Sequence, residues 1–305
     1  MRLLVTGASG FVGSHLVRHL VDEGHEVLAL ARSTSDSKQH GSEQTGVTTV
    51  VGDITDANSL EAVGSKLNTQ NSTVDAVIHL VGIIREQGNA SFDAIHVEGT
   101  KNVLDLAKQL GVKRFIHMSA LGSSLNSESR YFKTKAQAEA YVRASGLIFT
   151  IFRPSLIFGK GDEFFGDILK ELVSLPPVVP QIGDGKFPFR PVWVGDVARA
   201  FTQALTRSAT ENEAYDLVGP HEYTFRELLD LMQTALGTSK PVVPVPLALM
   251  RLGVPVMQLL PKPPITQDQF MMLLAGNTGE LEPITNVFDL ELRALPDVLP
   301  SIVKA

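Results

Sequence analysis

Three glycines, each three residues after the last, stand near the N-terminus between an apolar strand pattern and an apolar helix pattern. Residues 3–5 are an apolar run typical of a buried strand, and apolar side chains recur at helical spacing from Phe11 onwards. In such a loop Gly7 permits a tight turn, Gly10 lets the backbone approach a bound group, and Gly13 lets the helix pack close to the sheet. The free N–H groups of the first helical turn attract phosphate. This context predicts a dinucleotide-binding loop made of Gly7, Ser9, Gly10, Phe11, Val12 and Gly13.

Strand and helix patterns alternate through the first half of the chain, and this alternation restricts the fold class. Strands joined by crossover helices form parallel sheets that are covered by helices on both faces. The sequence therefore predicts an α/β fold, a Rossmann-type doubly wound parallel sheet. Its strands are expected at residues 3–5, 27–31, 48–51, 75–80, 114–118 and 147–152, and its helices at residues 11–21, 57–67, 92–110 and 131–144.

The pattern changes after Arg153, where prolines cluster and the alternation weakens. Residues 194–204 have helical spacing, and residues 215–218 are one more strand that returns to the sheet. Further helices are expected at residues 224–236 and 266–274. We therefore predict a Rossmann domain of residues 1–160 plus about 190–220, and a smaller, irregular lobe of residues 161–189 plus 221–305.

Composition excludes several classes of function. The net charge of −6 disfavours a nucleic-acid partner, and the absence of cysteine excludes disulfides, thiolate zinc sites and cysteine nucleophiles. His79 and His117 end apolar strands with no carboxylate pattern beside them, which predicts buried, hydrogen-bonded imidazoles and no metal. No leader pattern precedes the first strand, and no run reaches the roughly 18 apolar residues of a membrane span. We expect a cytoplasmic protein without a transmembrane segment.

The end of the second strand is where a Rossmann domain reads the adenosine ribose. An acidic residue there favours NAD(H), whereas a basic one accepts the 2′-phosphate of NADP(H). Arg32 stands at this point, with Lys38 further along the loop, so NADP(H) is the preferred cofactor and NAD(H) the alternative. Further cofactor contacts are expected after the third and fourth strands, from Asp53, Ile54, Leu80, Val81 and Gly82.

Seven short stretches stand in a characteristic order along the chain, at residues 6–13, 52–54, 79–82, 97–103, 115–119, 131–135 and 153–159. Together they resemble the short-chain dehydrogenase/reductase superfamily in its extended or atypical branch. The tail at residues 264–277 is similar to the NAD(P)H-binding accessory subunits of respiratory complex I and their bacterial relatives.

The resemblance implies an oxidoreductase in which Tyr131 is the acid–base catalyst and Lys135, one helical turn later, its partner. The ammonium would lower the pKa of the phenol and hold the nicotinamide ribose. The dinucleotide supplies the hydride in such a reaction. The matched stretches add further cofactor contacts at Met118, Ser119, Pro154 and Ser155.

Two positions depart from the superfamily pattern. Ala120 stands where the family has Ser or Thr, with Ser119 one residue earlier and Ser123 and Ser124 nearby, and His96 replaces the family Asn. The resemblance therefore implies a bound nucleotide and leaves turnover open. The alternatives are a carbonyl/alcohol oxidoreductase, a non-catalytic structural or redox-sensing subunit of a respiratory or quinone-linked complex, and, ranked lower, a nucleotide-sugar epimerase or dehydratase.

Residues 245–260 are strongly apolar and are interrupted by Pro255. This stretch is too short to span a bilayer. It is consistent with a helix packed on the smaller lobe, with a cover over a hydrophobic substrate such as a quinone or lipid, and with a segment on a membrane surface. The last alternative implies peripheral association with a complex at the inner membrane. Arg190 is a candidate substrate contact and Asp196 a helix cap.

Overall fold

A computed structural model describes residues 1–33, 45–69, 73–258 and 265–303, so Lys38 and residues 259–264 lie outside the described ranges. The strands are β1 (Arg2–Thr6), β2 (Glu26–Ala31), β3 (Val47–Val51), β4 (Ala76–His79), β5 (Arg114–Met118), β6 (Ile148–Pro154), β7 (Ile157–Phe158), β8 (Val179–Ile182), β9 (Pro188–Phe189), β10 (Val192–Trp193), β11 (Glu213–Leu217), β12 (Tyr223–Thr224) and β13 (Val242–Val245). The helices are α1 (Phe11–Asp22), α2 (Ala57–Thr69), α3 (Gly99–Gln109), α4 (Arg130–Arg143), α5 (Lys170–Ser174), α6 (Val194–Ala204), α7 (Phe225–Leu236), α8 (Leu247–Met257), α9 (Gln267–Ala275), α10 (Glu282–Val287) and α11 (Leu295–Val303).

Seven strands form one sheet in the order β11-β6-β5-β4-β1-β2-β3. The neighbours from β3 to β6 all pair in parallel. This confirms the predicted α/β fold. The further strand expected at residues 215–218 is β11, and the structure places it at one edge of the sheet. The order reverses between β1 and β4, and ligands of such sheets bind outside the carboxyl ends of the strands at that point.

The core of the sheet comes from strands that are apolar on both sides. Leu4, Val77, Phe115 and Ile151 occupy four strands and pack in one buried cluster that also contains residues of α2 and α3. Strands covered by helices on both faces have continuous apolar sequences. The strands of this sheet were therefore recognisable from the sequence.

The single helix predicted at residues 92–110 is instead a π-helical turn, Asp93–Glu98, followed by α3. A Cβ on Gly99 would lie 2.8 Å from the Ile54 side chain, so glycine permits close packing at the junction. The Asn102 side chain donates to the Ile54 carbonyl at 2.8 Å. Apolar spacing alone does not distinguish π from α geometry, and π turns are frequent at functional sites.

The chain divides into two compact units. The first contains Met1–Arg153, Val197–Asp216 and Glu282–Leu290, and the second contains Pro154–Asp196, Leu217–Leu281 and Glu291–Ala305. The second unit has three two-stranded pairs, β7 with β10, β9 with β12 and β8 with β13, which are too short to show a sequence period. Within the described ranges, no helix is long and apolar enough to cross a membrane.

Arg190 in the second unit donates hydrogen bonds to backbone carbonyls. Its guanidinium donates to the carbonyls of Gly219 at 2.9 Å and Gly279 at 3.1 Å. These donors tie two loops together, and the role of Arg190 as a substrate contact stays a prediction. Asp196 lies in the first turn of α6 and accepts from the Arg293 backbone N–H at 3.0 Å.

Candidate functional site

The glycine loop forms the tight turn that the sequence predicts. Gly7 has φ +73°, a conformation that side chains with a Cβ rarely adopt, and its carbonyl accepts from the Gly10 N–H at 3.1 Å. Gly10 is the N-cap of α1 and provides no side-chain cap. The first N–H groups of a helix have no partner within the helix, so this end of α1 is suited to an anion.

Gly13 is constrained by packing, whereas Gly10 is not. A Cβ on Gly13 would overlap the Gly7 carbonyl oxygen and lie 2.8 Å from the backbone of Ala8. A Cβ on Gly10 would meet nothing closer than 3.4 Å. Helix packing therefore requires the glycine at position 13, whereas Gly10 leaves open space beside the helix terminus.

The loops after β1 and β4 touch at the point where the strand order reverses. A Cβ on Gly7 would lie 3.1 Å from the Val81 backbone nitrogen and 3.3 Å from the Leu80 carbonyl carbon. The structure thus brings the glycine loop together with Leu80 and Val81, which the sequence assigns to the same cofactor.

The ammonium of Lys135 lies against the next residue of that loop. A Cβ on Gly82 would be 2.9 Å from Lys135 Nζ, and Nζ donates to the Met118 carbonyl at 3.0 Å. The ends of β4 and β5 therefore meet α4 at this nitrogen. Burial lowers the pKa of Lys135 to about 8, and the Glu139 carboxylate opposes that shift. Among the described residues, Lys135 has no ion pair within 4.0 Å.

Tyr131 lies one turn earlier on α4 and is packed by aromatic rings. The rings of Phe92 and His96 stand edge-on to it at 5.8 and 5.4 Å. Burial raises the pKa of Tyr131 to about 12. The expectation that Lys135 lowers this pKa is wrong for the structure as it stands, because desolvation of the phenolate dominates.

His96 takes the place of the family Asn and ties three segments together. Its Nε2 accepts from the Ile83 N–H at 3.1 Å, and its Nδ1 lies 2.9 Å from Thr134 Oγ1. Because Nε2 is an acceptor, a neutral ring must carry its proton on Nδ1 and donate to Thr134. Burial lowers the pKa of His96 to about 2, so the imidazole that links these segments is neutral.

His79 and His117 occupy paired positions on β4 and β5 and stack at 5.4 Å. His79 is hydrogen-bonded on both nitrogens, to Thr6 Oγ1 at 2.7 Å and Thr100 Oγ1 at 3.1 Å. Both ring nitrogens of His117 are buried without a partner in the described structure. The expectation of a hydrogen-bonded imidazole holds for His79 and is wrong for His117. The His79 ring stacks face to face on His117 and so offers it neither a donor nor an acceptor.

The hydroxyls near the missing family Ser bond to one another. Ser119 Oγ lies 3.2 Å from Ser123 Oγ, and the Ser123 hydroxyl donates to the Ala120 carbonyl at 2.7 Å. Since that proton is used, Ser119 must donate to Ser123. Ser119 would have to rotate before it donated to a substrate oxygen. Ser124 is exposed, and its Oγ accepts from the Asn126 N–H at 3.3 Å.

The other residues assigned to the cofactor are dispersed. Arg32 is exposed directly after β2. Asp53 Oδ1 accepts from the backbone and side chain of Thr55 at 2.9 and 2.8 Å, while Asp56 accepts from the first turn of α2 at Asn58. Ser155 follows Pro154 in the second unit. Its N–H donates to the Leu217 carbonyl and its hydroxyl to the Asn277 carbonyl.

Glu139 and Arg153 fix the turn of α4 that follows Lys135. Arg153 donates to the two carboxylate oxygens of Glu139 at 2.8 and 2.6 Å. Such paired, charge-assisted bonds fix the orientation of the groups they join. Sequence analysis missed Glu139, Thr134 and Thr100, because their partners stand 14 to 38 residues away and no local pattern marks them.

Comparison with known proteins assigns a family to the sequence and the fold. The NAD dependent epimerase/dehydratase family matches residues 3–217. The mitochondrial NADH dehydrogenase (ubiquinone) 1 alpha subcomplex subunit 9 of Arabidopsis thaliana is 35% identical over 233 residues, which are 75% of this chain and 56% of that protein. A 3-beta-hydroxysteroid dehydrogenase of Mycolicibacterium neoaurum is 34% identical over 190 residues, 53% of this chain and 49% of that protein. The chain spans less than two thirds of these relatives.

A solved structure shows the same fold. A dTDP-glucose 4,6-dehydratase from Bacillus anthracis, crystallised in complex with NAD, superimposes with a TM-score of 0.74 at 21% identity, over 100% of this chain and 96% of that one. The resemblance stated from the sequence is thereby confirmed at the level of family and fold.

Alanine at the second and third glycines of the loop should test which of the two is required for packing. Gly13→Ala should lower the free energy of unfolding by about 1–3 kcal/mol, because the methyl group overlaps the loop backbone. Gly10→Ala should change it by less than about 1 kcal/mol. Urea unfolding of both variants measures the difference, and equal losses would contradict the packing argument.

Acid should destabilise the first unit through its buried histidines. Burial lowers the pKa of His79 to about 3 and the pKa of His117 well below its usual range, so the unfolded chain binds more protons than the native state below about pH 6.5. The neutral histidines therefore contribute their full share to the free energy of unfolding above that pH, and this contribution is lost as the pH falls. His117→Leu should reduce the slope of unfolding free energy against pH, between pH 6 and 4, by up to about 1.4 kcal/mol per pH unit.

A matched variant makes the acid prediction specific. His221 is exposed, so His221→Leu should leave the slope equal to that of the wild type. An unchanged slope in His117→Leu would show that this imidazole is not buried as the structure describes. Urea titrations at several pH values provide the measurement.

Proposed function

The chain belongs to the NAD dependent epimerase/dehydratase family, and from this we infer that it is an NADP(H)-binding oxidoreductase acting on a carbonyl/alcohol pair. The observation that carries the proposal is the buried ammonium of Lys135. Of its three donors, one is used within the part of the chain that the structure describes, on the Met118 carbonyl. A buried, incompletely bonded charge lowers stability, and such charges concentrate at functional sites. A ribose hydroxyl of the dinucleotide would satisfy the remaining donors.

The residues present fit a dinucleotide along the carboxyl edge of the sheet. The uncapped end of α1 would hold the pyrophosphate, with backbone from Gly10 and Phe11 to Gly13 facing it. Leu80 to Gly82 would line the path from the glycine loop to Lys135. The contact between these two loops supports a single continuous binding groove within the first unit.

Arg32 supports NADP(H) over NAD(H). Its side chain is exposed at the end of β2, where a 2′-phosphate on the adenosine ribose would come to lie. A guanidinium binds phosphate through paired, charge-assisted hydrogen bonds, whereas it offers little to a free ribose hydroxyl pair.

Ligand-dependent thermal stability tests the cofactor proposal. NADPH at about 100 times its dissociation constant should add about 2.7 kcal/mol to the free energy of unfolding. Arg32→Asp should weaken NADPH binding by at least about tenfold and leave NADH binding no weaker. Arg18 on α1 is also exposed, so Arg18→Asp is the matched charge control. No stabilisation by either dinucleotide would reject the proposal, and stronger stabilisation by UDP-glucose would favour sugar-nucleotide chemistry.

The protonation states favour Tyr131 as a proton donor in the reducing direction. With its pKa raised to about 12, the phenol carries its proton at neutral pH. It would donate that proton to the oxygen of a ketone as the oxygen gains charge. Lys135, positively charged below about pH 8, would stabilise the phenolate left behind. The dinucleotide would supply the hydride when bound.

Ketones of the steroid class are the first substrates to test. The similarity to a 3-beta-hydroxysteroid dehydrogenase supports a secondary alcohol/ketone pair. If the proposal is right, Tyr131→Phe should lower NADPH oxidation with 3-ketosteroids by about 10²–10⁴-fold while NADPH still stabilises the variant. Equal rates in the wild type and Tyr131→Phe would show that Tyr131 is not the acid.

Lys135→Met should separate stability from function. The lysine pKa of about 8, against 10.5 unfolded, means that the native state loses up to about 3 kcal/mol at pH 7 by holding this charge. The variant should therefore be more stable than the wild type, by an amount that shrinks as the pH rises from about 8 to 10.5. NADPH binding and ketone reduction should both fall. A variant that is less stable at pH 7 would contradict the assignment of Lys135 as a strained functional group.

A non-catalytic dinucleotide-holding role is the second candidate. The neutral His96 link and the Ser119–Ser123 bond both describe a site not arranged for turnover as it stands. The relative from Arabidopsis thaliana is named as a subunit of NADH dehydrogenase. NADPH-dependent stabilisation without ketone reduction in the wild type would favour this role and association with a respiratory complex.

A further inference from the structure

Helix α8 of the second unit carries apolar side chains on opposite faces, although only one face is covered. Val254 is fully buried, and Leu247, Met250 and Met257 are partly buried. The outer face leaves Leu249 exposed by 62%, Leu252 by 73% and Val256 by 66%, together with Ala248 and Pro255. A helix that is apolar all round is ordinarily buried all round.

The exposed residues form one stripe rather than scattered positions. At about 100° per residue, positions 248, 249, 252, 255 and 256 fall within roughly 120° of arc on the helix surface. Arg251 borders this stripe and is also exposed. Contiguous exposed apolar surface of this kind marks an interaction site.

The charge of the surrounding sequence selects the partner. From Leu231 to Gln267 there are three basic side chains and no acidic one, in a chain whose net charge is −6. A basic, apolar segment is complementary to a negatively charged surface with an apolar interior. A second copy of the same helix would instead bring Arg251 towards its symmetry mate, and like charges repel.

The dimensions allow the helix to lie on a bilayer and not to cross it. Eleven residues make a helix of about 16 Å, roughly half the hydrocarbon thickness of a membrane. We propose that α8 docks on the surface of a bilayer containing anionic phospholipid. Leu249, Leu252 and Val256 enter the acyl boundary, and Arg251 extends to the headgroup phosphates. This surface is independent of the dinucleotide site proposed above.

Flotation with lipid vesicles tests the docking surface on the full chain. The wild type should float with vesicles of phosphatidylcholine mixed with phosphatidylglycerol, and more weakly with phosphatidylcholine alone. The double variant Leu249→Ser, Leu252→Ser should reduce the partition coefficient at least about tenfold. Arg251→Glu should reduce binding to the anionic vesicles about fivefold or more and abolish the preference for them.

Matched measurements keep the result specific. Leu125 is 54% exposed and lies in the first unit, so Leu125→Ser should bind vesicles like the wild type. Because the substituted leucines are exposed, the double variant should keep the wild-type unfolding midpoint and NADPH response, which separates failure of this proposal from failure of the proposed function. No binding of the wild type to anionic vesicles, or equal binding by the double variant, would overturn it. Concentration-dependent dimers of the wild type that the double variant does not form would assign the face to a second copy instead.

Discussion

The close contact between α1 and the end of β1 is the constraint on which the site depends. The helix approaches so closely that a methyl group at position 13 would overlap the Gly7 carbonyl, and Gly7 itself lies against Val81. These contacts bring a helix N-terminus to the point where the strand order reverses. With a bulkier loop, α1 would stand further from the sheet and its first N–H groups would not face the groove.

Burial then sets the chemistry beside that groove. Desolvation raises the pKa of Tyr131 and lowers those of Lys135, His96 and His117. Each shift favours the neutral form, so the site holds one incompletely bonded cation among neutral rings and hydroxyls. Hydrogen bonds from His96 and the Glu139–Arg153 pair keep α4 in place around that cation. Such an arrangement suits a ligand that brings its own hydroxyl groups and negative charge.

Much of the fold was predictable because its signals are local. The glycine spacing, the apolar strands and the alternation with helices indicated the sheet, and the strand pattern at residues 215–218 indicated β11, whose place at the sheet edge only the structure shows. The π-helical turn at Asp93–Glu98 was not predictable, because apolar spacing is similar in π and α turns. The roles of Arg190 and His117 were also missed, since they depend on which carbonyls or rings the tertiary fold places beside them.

The sequence by itself determined the fold class, the glycine loop and the positions of Tyr131 and Lys135 on one helical face, since each follows from spacing along the chain. Only the tertiary structure decided the ionisation of those side chains, because desolvation depends on what packs around them. The same holds for α8: apolar composition predicted several placements, and exposure of its outer face is a property of packing between distant segments. The glycine loop is therefore recognisable from the residues, whereas the electrostatics beside it required the fold.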